Sequence, residues 1–163
     1  MAKLSESAVQ IYQEYMDMLR KLSCNLTSQP WFAEAPWFVS KGIYARGISL
    51  QLAQIHWHNH EGQGIHLETW IDADAVARKE VFLVMHVEPH VPNRAAFNEK
   101  FWRLAQGKLQ SWEGFQLNEN NAMELWKKRV PLSKTATALT EEFNRVKDLA
   151  PEIDRALKKS AAP

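Results

Sequence analysis

Residues 64–71 read GIHLETWI and residues 81–88 read VFLVMHVE, and both runs alternate with the period of two that marks a strand with distinct faces. In the first, Ile65, Leu67, Thr69 and Ile71 fall on one side while His66, Glu68, Trp70 and Asp72 fall on the other. In the second, Val81, Leu83, Met85 and Val87 oppose Phe82, Val84, His86 and Glu88. A preceding run from Ile48 to His58 carries similar strand signals, so the sequence predicts three consecutive antiparallel strands. Their turns fall at Asn59-His60-Glu61-Gly62 and between Asp72 and Lys79. Pro89 and Pro92 end the third strand, because proline has no N–H for the ladder. A short earlier strand fits residues 38–44, placing the sheet within 36–90.

Outward from the sheet the pattern turns helical. Val9, Tyr12, Met16, Leu19 and Leu22 recur at spacings of three and four, which predicts an N-terminal helix within residues 1–25, capped by Ser5 or Ser7. Two Pro-Trp-Phe units beginning at Pro30 and Pro36 suit a tight connector with aromatic anchors. After Pro92, Asn93 opens a middle helix over 93–111 carrying Phe97, Phe101, Leu104 and Leu109 on its apolar stripe. Residues 122–130 fit a fourth strand or a helical turn. Ser133 opens a C-terminal helix over 133–159, with Leu139, Phe143, Val146 and Leu149 on one stripe and a kink at Pro151 before Ile153 and Leu157. The expected fold class is α+β: one domain over residues 1–163, with an antiparallel sheet of three to five strands and an N-terminal, a middle and a long C-terminal helix packed on one face.

Composition narrows the function classes. The 163 residues carry a net charge of +1, which lacks the basic excess of a phosphate-backbone binder and argues against nucleic acid as a partner. Cys24 is the only cysteine, excluding an intramolecular disulfide, and is read as a buried or half-buried small residue near a helix end. No run approaches the roughly 20 apolar residues of a membrane span, and the N-terminus lacks a signal-peptide pattern. A cytoplasmic protein with no membrane partner is the expectation. No glycine-rich phosphate loop, nucleophile elbow or Cys-x-x-Cys pair occurs. Asp72, Asp74, Glu80 and Lys79 read as turn chemistry, and the Lys127-Lys128-Arg129 run as a solvated basic face.

All six histidines lie between His56 and His90. If residue 66 pairs with 86 and residue 56 with 66, then His56, His66 and His86 form a row across three strands beside Glu68 and Glu88. Cross-strand neighbours stand about 5 Å apart at Cβ. Two readings follow. The favoured one is a non-enzymatic protein-interaction domain that self-associates as a homo-oligomer, or meets another protein, through a mixed face of Trp57, His66, Glu68, Trp70, Phe82, His86 and Glu88; aromatics give area and charged groups set register. It requires no cofactor. The alternative is a metal-binding protein or metal-dependent enzyme that holds zinc or another divalent transition metal with His56, His66 and His86 and Glu68 or Glu88.

Overall fold

The computed structural model describes residues 6–44, 47–60, 63–118, 120–132 and 135–158. Ser5, Glu61, Gly62 and Ser133, and the side chain of Ser7, lie outside what is described, and with them the helix caps and part of the first turn read above.

The alternating runs become the middle of a six-stranded antiparallel sheet: β1 (Trp37–Tyr44), β2 (Gly47–Gln54), β3 (Ile65–Asp72), β4 (Glu80–Val87), β5 (Phe115–Leu117) and β6 (Glu124–Pro131). Their spatial order is β1-β2-β3-β4-β6-β5. The sheet exceeds the three to five strands expected, because β5 is only three residues long and shows no alternation of its own. It forms by pairing with β6, Phe115 opposite Lys128 and Leu117 opposite Trp126. Residues 122–130 resolve as strand rather than helical turn, since β6 completes the ladder begun by β4.

Five α-helices are described: α1 (Glu6–Thr27), α2 (Ala73–Arg78), α3 (Arg94–Gln110), α4 (Thr135–Val146) and α5 (Ala150–Leu157). The predicted turn after Asp72 is the short helix α2. Asp72 caps it by accepting a 2.7 Å hydrogen bond from the Ala75 N–H, and Lys79, at φ 56°, ends it in the left-handed region. The long C-terminal helix is two helices broken by a 3₁₀ turn at Lys147–Leu149. Pro151 falls in the first turn of α5, where its missing N–H would have had no intrahelical acceptor. Cys24 lies near the end of α1 as expected, yet is exposed rather than buried. Among the described residues no helix is long and apolar enough to cross a membrane.

One apolar core joins helices to sheet. Leu19, Leu22 and Leu26 of α1, Phe97, Phe101 and Leu109 of α3, Leu139 and Phe143 of α4 and Ile153 of α5 share a cluster with Leu50, Leu52, Leu67, Leu83, Met85 and Trp126. Leu67, Leu83 and Met85 hold the apolar parity read from the sequence, and Leu50, Leu52 and Trp126 extend it to β2 and β6. The opposite parity therefore forms a second face. Val84 belongs to it: fully buried, it stands outside the core cluster that takes in its neighbours Leu83 and Met85.

Leu67 has no exposure at the centre of the sheet, whereas Ile43 on the edge strand β1 is 70% exposed. Leu67→Ala is expected to cost about 2–5 kcal/mol of stability through lost burial and a residual cavity. Ile43→Ala should remain within about 0.5 kcal/mol; urea unfolding midpoints of the two variants check the contrast.

Candidate functional site

The second face carries its polar groups at the centre, and strand register explains why they meet. β3 and β4 pair His66 with His86 and Glu68 with Val84, while β2 sets Gln51 opposite Glu68 and β1 sets Ser40 opposite Gln51. Residues directly opposite each other in an antiparallel ladder share a face. Nε2 of His66 lies 3.6 Å and Nδ1 of His86 3.9 Å from the same oxygen, Oε2 of Glu68. The two imidazole rings stand edge to face with centroids 5.2 Å apart. Glu88 continues the cluster, its Oε1 being 3.4 Å from His86 Nδ1. One ligand atom from each of His66, Glu68 and His86 lies within 4.8 Å of the others.

The carboxylate of Glu68 is held from behind. Its Oε1 accepts from Gln51 Nε2 at 3.0 Å, and Gln51 Oε1 accepts from Ser40 Oγ at 3.1 Å. This chain occupies one carboxylate oxygen and leaves Oε2 to face the imidazoles. Burial alone pushes the Glu68 carboxyl upward, but His66, Gln51 and Ser49 outweigh it and hold the group below its ordinary 4.5. His86 moves the other way from a paired histidine. Burial and the neighbouring His66 lower it below 6.5 against the opposing pull of Glu88, Glu68 and Glu124, so the ring is neutral with a lone pair available. His66 is the most deeply placed of the three at 1% exposure. Among the described residues neither of its ring nitrogens has a hydrogen-bond partner, since 3.6 Å to Glu68 exceeds hydrogen-bond length.

Two backbone features place the histidines. Asn59 Nδ2 lies 3.0–3.1 Å from the carbonyls of Gln54, Trp57 and Ile65, and its Oδ1 accepts from the Gly64 N–H at 2.7 Å. It thereby closes the β2–β3 connection just before His66. A Cβ at Gly64 would stand 2.4 Å from the carbonyl oxygens of Trp57 and His58, so only glycine fits. On the other side, β6 inserts one extra residue where the β4 register shifts between Met85 and His86, a bulge of the kind that re-aims a side chain.

Beside the cluster lies a pocket of about 290 Å³, bounded by Gly47, Ser49, Gln63, Glu68, Trp70, Asp72, His86 and Glu88. Gly47 contributes to its shape, as a Cβ there would approach Ile71 O to 2.4 Å.

The structure brings together His66, Glu68, His86 and Glu88 of the residues singled out in the sequence, with Trp70 on the pocket wall. It does not bring His56 there. β2 ends at Gln54, four residues before the strand end read from the sequence, because Asn59 folds residues 55–58 into a turn; His56 points to α5, 2.8 Å from Asp154 Oδ1. The row is therefore two histidines, not three, and Gln51 stands in the neighbouring row opposite Glu68. Trp57 also departs from the expected face. It is fully buried in the core, with its Nε1 donating to Asp154 Oδ1 at 2.7 Å and its ring against Trp37. Phe82 is half-buried beside Arg78, Lys127 and Arg129. Ser40, Ser49 and Gln51 were missed. For Ser49 and Gln51 the signal was present in β2, where they alternate with Ile48, Leu50 and Leu52, but it carries no chemistry until register sets Gln51 against Glu68 and Ser40 of β1 against Gln51.

Both lowered pKa values act in the same direction. Between 6.5 and the folded value of His86 the unfolded chain takes up a proton that the native site resists. Below 4.5 the unfolded carboxylate protonates before Glu68 does. Stability of metal-free protein is therefore expected to decline from pH 7 as the pH falls, first through His86 and then through Glu68. Urea midpoints across pH 3–8 check this: His86→Gln should flatten the upper part of the decline and Glu68→Gln the lower.

No protein-family model, curated protein or solved structure matches the chain, so its site is read from its own residues.

Proposed function

We propose that this protein binds a divalent transition metal, zinc by the chemistry of its donors, through His66, Glu68 and His86. The observation that carries the reading is His66: an imidazole with 1% exposure whose two buried nitrogens have no hydrogen-bond partner among the described residues, aimed at a carboxylate oxygen that a second imidazole also approaches. Leaving such nitrogens unpaired is costly in a low-dielectric interior, and a cation is the group that all three donors accept. Two imidazole nitrogens and one carboxylate oxygen form a donor set that zinc takes. The Ser40–Gln51–Glu68 chain supplies the outer support that metal-bound carboxylates use. Three protein donors would leave a zinc ion a place for a water or substrate atom, which it would polarise.

The test is metal content after dialysis against a weak chelator and titration with zinc. One equivalent per chain is expected. His66→Ala and His86→Ala should abolish it and His56→Ala should retain it, while Gln51→Leu should weaken affinity about 10–100-fold. Unchanged stoichiometry in His66→Ala would refute the assignment.

A second reading uses the same face for self-association. Trp70 and Phe82 sit opposite each other on it, both partly exposed, and mixed aromatic and charged surfaces suit a second copy. Trp57, being buried, takes no part. Under this reading Trp70→Ala shifts the mass measured by light scattering from dimer to monomer; a mass unaltered by the substitution counts against it.

A further inference from the structure

Three cations crowd one aromatic ring on the face that carries the His/Glu cluster. Arg78 Cζ and Lys127 Nζ each lie 5.4 Å from the Phe82 centroid, and Arg129 Cζ lies 5.7 Å from it. Cation–π attraction holds each group near the ring, but three like charges gathered there repel one another. Among the described residues one acid compensates in part: Glu80 is 3.6 Å from Arg129. Among the described residues Arg78 and Lys127 make no ion pair, so the patch holds uncompensated positive charge.

Its position relates it to the pocket. Lys127 is opposite Val84, which is opposite Glu68; Arg129 is opposite Phe82, which is opposite Trp70. Two strand spacings therefore separate the cations of β6 from Glu68 and the Trp70 wall, roughly 10 Å. Between them lie the half-exposed rings of Trp70 and Phe82 and the buried side chain of Val84. The face thus runs from imidazoles and carboxylates, across an aromatic floor, to guanidinium and ammonium groups. A metal at one end and fixed cations at the other both attract negative charge, and Arg is suited to planar anions.

We infer that this face, from the pocket wall at Trp70 across Phe82, takes a small organic anion with a flat apolar body: its carboxylate or phosphate pairs with Arg78, Lys127 and Arg129, its body lies over Trp70 and Phe82, and its other end points toward the His66–Glu68–His86 centre. Only that last contact rests on the metal reading; the anion subsite stands on its own residues.

The full chain, zinc-loaded and metal-free, is titrated calorimetrically with phenyl phosphate, benzoate and the neutral benzyl alcohol. At least one anion is expected to bind ten times or more tightly than the alcohol, and the phosphate and carboxylate arms show which group the cations prefer. K127A and R129A should each weaken that anion about tenfold, with circular dichroism and zinc stoichiometry unchanged. Stoichiometric zinc with no preference for either anion overturns this inference and leaves the metal reading intact. Anion binding that K127A and R129A reduce in a protein taking up no zinc supports the subsite and overturns the metal centre instead. Affinity unaltered by both substitutions, or a dimer that R129A dissociates, assigns the cations elsewhere and overturns the inference.

Discussion

Pairing of β3 with β4, from Ile65 opposite Val87 to Trp70 opposite Phe82, sets the side to which every important residue of the sheet points. Side chains alternate with a period of two, so a slip of one residue would turn Leu67 out of the core and carry His66 and Glu68 into it. Both ends resist that slip. Asp72 caps α2 and fixes the length of the connection, and at the far end the Glu88 N–H donates to Gly64 O at 3.1 Å. The apolar parity is in turn compelled by the helices above it, with Leu67, Leu83 and Met85 sharing a cluster with Phe101 and Phe143. The two histidines thus face each other because hydrophobic burial fixes the register, not because imidazoles attract.

The second face accepts a cost in return. Burying a carboxylate and two imidazoles is unfavourable unless each polar atom finds a partner. Glu68 is provided for, since Gln51 holds one oxygen and Ser40 holds Gln51, and the net lowering of its pKa shows its partners outweighing burial. His66 is not. Stability alone favours an apolar side chain at that position, and the imbalance at this buried ring, beside a pocket, is the observation on which the metal proposal rests. The same arrangement weighs against protein association as the main role of the cluster. A side chain with 1% exposure has almost no surface to offer a partner, whereas one ring nitrogen can still take an ion.

Far from this centre, Asp154 of α5 secures the connection that leads into β3. It accepts from Trp57 at 2.7 Å and lies 2.8 Å from His56 Nε2, tying the turn after β2 to the last helix across 97 and 98 positions of sequence. The contact explains why a run rich in histidine and tryptophan leaves the sheet early: its polar atoms find a carboxylate at the helix layer rather than neighbours on the opposite face.

Alternation along residues 65–71 and 81–87 was sufficient by itself to identify both strands and to sort their side chains onto two faces, with His66 and Glu68 on one face of the first and His86 and Glu88 on one face of the second; the pairing of His66 with His86 was only one register the sequence allowed, and the ladder realises it. Helical spacing was sufficient for α1, α3 and the stripe shared by α4 and α5. These are local properties, since strand and helix periods are written in neighbouring residues. The fate of His56, the burial of Trp57, the support of Glu68 by Gln51 and Ser40, the brief strand β5 and the gathering of Arg78, Lys127 and Arg129 around Phe82 were decided only in three dimensions. Each depends on where a strand ends or which distant segment lies beside it. Hydrogen bonds and packing between residues far apart in the chain set those outcomes, and no local period encodes them.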